Sequence, residues 1–356
     1  MKTEKLNYDL PTELISQQPS GIRSDSRLLV FNRSSGELID SRFSRLGDFL
    51  SSGDCLVLND TKVLPAKFFC RRKTGGRIEG LFLSQTADSV WEVMLKGAGR
   101  LRAGEIIHLR SSTKQDFCRA VLLEKMSEGR CRLKIEAEAE LETILGEIGF
   151  PPLPPYIKRT DDAVVAQKDA LRYQTVYARY NGAIAAPTAG LHLTKQLINR
   201  LKTAGISFAY ITLHIGMGTF KPITADELEQ HQIHREQFSL DEENARLINT
   251  AKERGRRVVA VGSTSVRALE TIVHRTPYGA AGSRIERGGG TTSLFIKPGY
   301  KFRFVDAMVT NFHLPRSTVL ALVGAFGGLD NILAAYSHAI EQRYRFYSYG
   351  DAMLIL

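Results

Sequence analysis

Cysteine is scarce: Cys55, Cys70, Cys118 and Cys131 are the four in 356 residues, and they lie far apart. No C-x-x-C pair occurs, so neither a disulfide frame nor a thiolate zinc site is expected; they read as free thiols in a reducing compartment. Long apolar runs are missing too. The longest, Thr318 to Gly328, falls short of the roughly 18 residues of a membrane span and is broken by glycine. The opening MKTEKLNYDLPTELI has no apolar core, which argues against a secretory signal. No membrane partner and a cytoplasmic location are therefore expected. Internal repeats and low-complexity stretches are absent.

Several chemical signatures are also lacking. Gly216-Met217-Gly218 has neither the third glycine nor the following helix of a dinucleotide fingerprint, and Gly288-Gly289-Gly290 lacks the Lys-Ser or Lys-Thr of a P-loop. The triple glycine reads as a flexible loop. No H-E-x-x-H or G-x-S-x-G occurs, and no G-x-G-x-G of an ordinary Rossmann methyltransferase follows an early strand. His231 and His234 stand three apart with one flanking Glu, a pattern that reads as a solvated helix. No metal site is expected.

What remains is a basic globular chain. Its 43% hydrophobic and 24% charged residues are ordinary for a folded protein, and its length suits two domains. Lys plus Arg is 48 against 38 for Asp plus Glu, a net charge of +10, which fits a polyanionic partner. From Arg77 to Glu138 short β segments (RIEGLFL, WEVMLKG, EIIHLR, FCRAVLL, CRLKIEA) alternate with turn signals, the texture of a small antiparallel barrel. PPLPPYIKR at Pro151 then forms a stiff connector.

Beyond it, strands alternate with helices of 10 to 15 residues, which implies parallel β-α units. Thr194 opens one helix, a Ser239-x-x-Glu242 capping box another, and further helices are expected near Ser265, from Ser317, and over Asp330 to Arg343. Strands are expected at SFAYITLHI, Arg257–Val261, Val305–Val309 and Ala352–Leu356. SRLLVFN and CLVLND supply two more from the N-terminal stretch. The fold class is thus α/β: residues 1–62 and 151–356 form the larger domain, and residues 63–150 are an inserted β-barrel.

Polar residues gather at the ends of these strands. CLVLN runs into Asp60-Thr61-Lys62, and AIAA into Pro187-Thr188-Ala189-Gly190-Leu191-His192. ITLHI carries His214 and then Gly216-Met217-Gly218; RVVAVG leads to Ser263-Thr264-Ser265-Val266-Arg267; AMVT leads to Asn311-Phe312-His313. In parallel α/β folds, groups at the carboxyl ends of strands share one face and line one pocket. Turns also favour such residues, but five clusters with histidines in three point to a site. Ser263-Thr264-Ser265 at a helix start would suit a phosphate or carboxylate, with plain N-capping as the competing reading. Arg343-Tyr344-Arg345-Phe346-Tyr347 interleaves basic and aromatic side chains, suited to gripping phosphates and stacking bases, or to filling a core. Taken alone, these features fit an enzyme acting on a nucleic acid, an α/β enzyme acting on a free nucleoside or sugar phosphate, or a non-catalytic RNA-binding module.

YDLP, LVLNDTKV, PPLPPYI, RYQTVYA, AAPTAGLH, TLHIGMGTFKP, GSTSVRALE, TNFHLPRST and RYRFYSYGDAML together resemble the S-adenosylmethionine:tRNA ribosyltransferase-isomerase family of queuosine biosynthesis, in order from Tyr8 to the C-terminus. Leu193, Lys62 and Ala268 stand where that family usually has Phe, Arg and Thr. The resemblance implies a distorted α/β barrel with an inserted β-barrel. It also implies a reaction in which S-adenosylmethionine, as co-substrate, donates its ribosyl group to the aminomethyl-deazaguanine at the wobble position of tRNA, leaving adenine and methionine. No cofactor is implied, and a monomer is expected.

On that reading His192, His214 and His313 are candidates for proton transfer, and Asp60 and Asp306 for a base or a ribose-orienting group. Thr188, Gly190, Gly216 and Gly218 would let the nucleoside approach the backbone. Ser263, Thr264, Ser265 and Arg267 would suit the methionyl carboxylate. Asn311 would read a base edge, and Arg343, Arg345 and Tyr347 would contact tRNA.

Overall fold

The computed structural model describes residues 1–159, 163–216, 218, 222–275 and 284–356. They form two compact units. One comprises Met1–Lys62, Pro154–Lys158 and Gln174–Leu356, and the other Val63–Leu153 with Arg159–Tyr173. The second unit therefore runs three residues past the boundary expected at 150 and regains a segment after it. Arg159 clasps Asp169 there through Nε at 2.6 Å, fastening the start of the segment to the helix Ala163–Arg172, which sequence reading did not single out.

The second unit is built on a closed barrel in the order Arg130–Glu136, Val90–Leu95, Arg77–Ala87, Lys67–Arg72, Ile106–Arg110 and Asp116–Lys125, antiparallel throughout. Alternate residues point inward: in Val90–Leu95, Trp91, Val93 and Leu95 are buried. Gly80 is required where it stands, because a Cβ would lie 2.3 Å from the Phe68 ring. The five β segments read from sequence are all present, and Lys67–Arg72 supplies the sixth strand.

The first unit is an open mixed sheet of nine strands. Across it run Gly288–Thr292, Glu236–Leu240, Ser207–Leu213, Cys55–Asn59, Val258–Val261, Ala307–Asn311, Ala352–Ile355, Arg27–Phe31 and Leu38–Arg42. The middle four, from Ser207–Leu213 to Ala307–Asn311, are mutually parallel. Cys55–Asn59, Val258–Val261 and Ala307–Asn311 are buried at every position, which is why they read as unbroken apolar runs. Their carboxyl ends, at Leu213, Asn59, Val261 and Asn311, fall on one edge. The triple glycine, expected as a loop, is instead the start of the edge strand Gly288–Thr292, paired with Glu236–Leu240 through backbone alone.

The helices begin where side chains cap them. Thr194 Oγ1 accepts from the Leu197 amide at the start of Lys195–Thr203, and Ser317 Oγ from Leu320 at the start of Thr318–Gly327. The helix Glu242–Glu253 is capped by Asp241, which accepts from Asn244 N. The expected Ser239 cap is overturned because Ser239 is still within the strand paired to Gly289. No single helix among the described residues is long and apolar enough to cross a membrane; Thr318–Gly327 and Leu329–Glu341 are bent by 109° at their junction.

The opposite edge of the sheet is held by buried carboxylates. Glu270, in the helix Ser263–Arg275, has no exposed surface and accepts from the amides of Arg303, Phe304 and Val305 at 3.0–3.1 Å. It thereby fixes the approach to the strand Ala307–Asn311. Glu270→Ala strands the buried amides of Phe304 and Val305 and the part-buried one of Arg303, and we expect it to lower the unfolding free energy by about 3 kcal/mol. Urea unfolding checks this; a midpoint equal to wild type would show that the three amides find other partners.

Candidate functional site

At the carboxyl edge, Asn59 joins the strand ends. Its Nδ2 donates to Leu213 O at 2.9 Å and to Thr264 Oγ1 at 3.1 Å, while its Oδ1 accepts from Leu213 N at 3.0 Å and Thr61 N at 3.2 Å. With all four hydrogen-bonding positions used, this buried amide fixes the helix start at Ser263–Thr264 against two strands. Beside it opens a pocket with about 710 Å³ of empty space. Thr188, Ser263, Thr264, Asn311, His313 and Tyr347 of the expected site line it together. Tyr156 and Ser348, which sequence reasoning passed over, join them, with Tyr156 Oη 2.5 Å from Ser348 Oγ and the Tyr156 and Tyr347 rings 4.6 Å apart. Tyr156 was signalled only by PPLPPYI, which reads equally well as a spacer, and Ser348 only by its place in RYRFYSYGDAML.

The three histidines have different surroundings. His313 is on the pocket wall; its Nε2 is 2.7 Å from Thr310 Oγ1, and burial pushes its pKa down to about 3. His192 lies outside the lining. Its ring stacks on Phe43 at 4.9 Å, its Nδ1 is 2.7 Å from Ser26 Oγ, and its Nε2 is 3.3 Å from Asn311 Nδ2. Burial holds its pKa down to about 4, with Asp351 pulling the other way. His214 Nδ1 is 2.8 Å from Thr61 Oγ1, and burial lowers its pKa as well. Gly182 makes room for that imidazole, since a Cβ there would lie 2.6 Å from Nδ1.

A second pocket adjoins, sharing Ser263, Thr264 and Val319 with the first. Gly218, His231, His234, Glu236 and Arg267 line it. The Arg267 guanidinium is an ion-pair partner of Glu236, and its Nε donates to Leu294 O at 3.1 Å. Glu236 Oε1 also accepts from Gly216 N at 3.0 Å. The charge expected to meet a carboxylate is thus already matched by a buried one. His231 and His234, read as a solvated helix, lie on a non-helical stretch instead. The His231 ring packs edge-on against Phe295 at 5.6 Å, and a Cβ on Gly218 would meet His234 at 2.5 Å. Met217, Thr219, Phe220 and Lys221 of the same motif lie outside the described residues.

Other expected residues are not brought to the pocket. Asp306 sits at the opposite end of its strand, where its carboxylate takes Lys252 Nζ at 2.7 Å and Val258 N at 2.7 Å. Five strand residues, about 15 Å of chain, separate it from the carboxyl edge. Asp60 is buried beside Thr212, whose hydroxyl donates to it at 2.7 Å; burial raises its pKa and that hydrogen bond opposes the rise. Ser265 has no exposed surface and donates to Val261 O at 3.0 Å, the last residue of the strand that leads into its helix. Gly190 serves Tyr177: a Cβ would stand 1.9 Å from its hydroxyl. In the basic-aromatic segment, Tyr344 and Phe346 are core residues. Arg345 is held by Asp351 at 2.9 Å and Ser20 at 2.6 Å, while Arg343 is exposed.

Residues 3–355 match the family model described as queuosine biosynthesis protein. The chain is 44% identical to the S-adenosylmethionine:tRNA ribosyltransferase-isomerase of Natranaerobius thermophilus, across 100% of this chain and 99% of the relative. It is 43% identical to the protein of the same name from Acetivibrio thermocellus, across 100% of both. It is also similar to a crystal structure of S-adenosylmethionine tRNA ribosyltransferase from Thermotoga maritima, with 34% identity, a TM-score of 0.56, and coverage of 99% of this chain and 100% of that one.

The buried His192 makes a pH prediction. Its native pKa of about 4 lies below the usual 6.5, so between those values the unfolded chain takes up a proton that the native state refuses. Its contribution is therefore complete above pH 6.5 and is lost as the pH falls towards 4. Between pH 7 and pH 5 the loss is about 2 kcal/mol. His192→Phe, which keeps the stacking on Phe43, should flatten that part of the slope in urea unfolding at the two pH values. An unchanged slope would place the titration elsewhere.

Proposed function

The chain belongs to the queuosine biosynthesis protein family, and from that premise we propose that it is an S-adenosylmethionine:tRNA ribosyltransferase-isomerase. It transfers and isomerises the ribosyl moiety of S-adenosylmethionine onto the aminomethyl-deazaguanine at the tRNA wobble position, giving epoxyqueuosine-tRNA and releasing adenine and methionine. The observation that carries the reading is the pocket itself. Its wall draws Thr188 from AAPTAGLH, Ser263 and Thr264 from GSTSVRALE, Asn311 and His313 from TNFHLPRST, and Tyr347 from RYRFYSYG.

The chemistry asks for a proton acceptor at the ribose carbon next to the sulfonium, whose positive charge acidifies it. Adenine must then leave, the neutral acceptor amine must attack, and epoxide closure expels methionine. His313 lines the pocket with Thr310 Oγ1 2.7 Å from its Nε2, and its place there is what supports it in proton transfer; burial keeps it unprotonated but also makes it a weaker base than a free imidazole. The nucleoside fits against the small side chains Ala185, Ala186 and Pro187, and the aromatic wall of Tyr156 and Tyr347 suits a base. The reaction uses no resident cofactor or metal in this scheme, because the sulfonium supplies the electrophilic charge. We further place the enzyme in the cytoplasm, with its tRNA, as a monomer.

The test supplies purified protein with ribosyl-labelled S-adenosylmethionine and tRNA carrying the aminomethyl-deazaguanine. Adenine release that needs that tRNA, with the label retained on RNA, is the expected result. Methyl transfer, or RNA binding without adenine release, would sink the reading. His313→Gln should lower kcat about 100-fold or more while leaving S-adenosylmethionine binding within a few fold.

A further inference from the structure

We infer that Asn311 reads a nucleobase in the pocket by accepting a base N–H on its Oδ1, and that Ser26 and His192 hold the amide in that orientation. The inference rests on the proposed function and adds to it a recognition contact and the chain of residues behind it.

The orientation of the amide follows from its neighbours. Nδ2 lies 3.0 Å from the carbonyl oxygen of Tyr347, which can only accept. Turning the amide over would set Oδ1 against that oxygen, so Nδ2 stays there. Its second hydrogen points to His192 Nε2 at 3.3 Å. For that nitrogen to accept, the imidazole must be neutral with its proton on Nδ1, and the far side of the ring arranges this. Ser26 Oγ donates to Arg23 O at 3.3 Å and so presents a lone pair to His192 Nδ1 at 2.7 Å. Phe43, stacked on the ring, fixes its plane. The roles of Ser26 Oγ, both His192 ring nitrogens and both Asn311 Nδ2 hydrogens are thus assigned.

One atom is left over. Asn311 is 1% exposed, lines the pocket, and its buried Oδ1 has no hydrogen-bond partner among the described residues. Asn59, the comparable buried amide two strands away, has all four positions satisfied. Buried acceptors are rarely left unpaired, and those that are call for a ligand or a solvent partner. With both Nδ2 hydrogens committed, Asn311 accepts and cannot donate. It therefore favours a base edge that presents N–H over one that presents C=O in the same place. The same pocket offers the Tyr156 and Tyr347 rings and the small apolar Ala185, Ala186 and Pro187 as flat surfaces for a heterocycle, beside the hydroxyls of Thr188, Ser263 and Ser348. Two bases of the proposed reaction carry such an edge: adenine through its amino group, and the deazaguanine through its ring N–H and amino group.

Calorimetric titration of 5′-methylthioadenosine and 5′-methylthioinosine, with KM values for the tRNA, separates the sources. If adenine is the base read, wild type prefers the adenine thioether by about tenfold or more, and Asn311→Leu brings the two to parity. If the tRNA base is read, wild type binds the two thioethers alike, and Asn311→Leu raises the KM for tRNA about tenfold with kcat less affected. Ser26→Ala leaves Asn311 in place and loosens only the imidazole behind it. It should give a smaller change of the same kind, and it stands in should the Asn311 variant fail to fold. Unchanged thioether preference and unchanged tRNA KM in a folded Asn311→Leu protein would overturn the inference while leaving the proposed reaction standing. Loss of preference in Asn311→Leu with none in Ser26→Ala or His192→Phe would overturn the positioning role. A wild-type protein that binds neither thioether nor tRNA would overturn the proposed function with it.

Discussion

The site depends on one constraint: polar groups at the carboxyl ends of buried parallel strands must find partners, since leaving them bare in an apolar surround is costly. Asn59 meets that constraint most fully. It ends a strand buried at every position, and its amide serves the neighbouring strand at Leu213, the chain turn at Thr61 and the helix start at Thr264. Because Thr264 and Ser263 face both pockets, the placement of the two cavities follows from those four hydrogen bonds. At the opposite edge the same constraint is met by carboxylates. Glu270, Asp306 and Asp54 accept backbone amides there; Asp54 also takes Arg257 Nη2 at 2.6 Å. One edge of the sheet is closed by charge; the other presents uncharged groups to the first pocket and the paired Arg267 and Glu236 to the second.

Conformational strain is stored at the neutral edge. Tyr347 has φ of 73°, a left-handed conformation that costs a residue with a Cβ about 1–2 kcal/mol. It is held by its own amide, which donates to Phe312 O at 3.0 Å, and by its carbonyl, which accepts from Gly350 N at 2.9 Å. Gly350 in turn has no room for a side chain, because a Cβ would meet Arg345 O at 2.4 Å. The strained turn places one carbonyl against Asn311 Nδ2 and one aromatic ring on the pocket wall. A relaxed turn would put neither there.

The sequence made the period of the barrel strands and the central parallel strands legible, together with the common edge to which the polar clusters belong; the helix Ala163–Arg172 and the glycine strand Gly288–Thr292 carried no such period. The barrel strands showed their alternation, the parallel strands their unbroken apolar runs, and Thr194 and Ser317 their caps. Single positions were less legible because their meaning depends on a boundary or on a distant partner. Asp306 stands at the amino end of its strand whether that is read as Val305–Val309 or found at Ala307–Asn311, so it belongs to the edge away from the pocket, where Lys252 and Val258 N hold it. Gly190 looked like an opening for a ligand, but it makes room for Tyr177, thirteen residues earlier. RYRFYSY could be a core or an RNA grip, and burial of Tyr344 and Phe346 decides for core at those positions. Glu236 and Ser26 carried no local signal at all, since each matters only through a partner more than 30 residues away, Arg267 and His192 respectively.

The electrostatics of the pocket edge suit a cationic co-substrate better than the overall charge of +10 suggests. An imidazolium there would repel a sulfonium, and burial lowers the pKa of His192, His214 and His313 alike, so none carries charge at neutral pH. Arg267, which lines the adjoining pocket, is matched by Glu236. The basic surplus is thereby kept off the reacting centre and left to surfaces such as that of exposed Arg343, where it can act at a distance on a polyanion. Attraction of the RNA and acceptance of the sulfonium ask for opposite local fields in one protein. Burying the histidines neutral and pairing Arg267 with Glu236, and Arg345 with Asp351, is how this fold reconciles them.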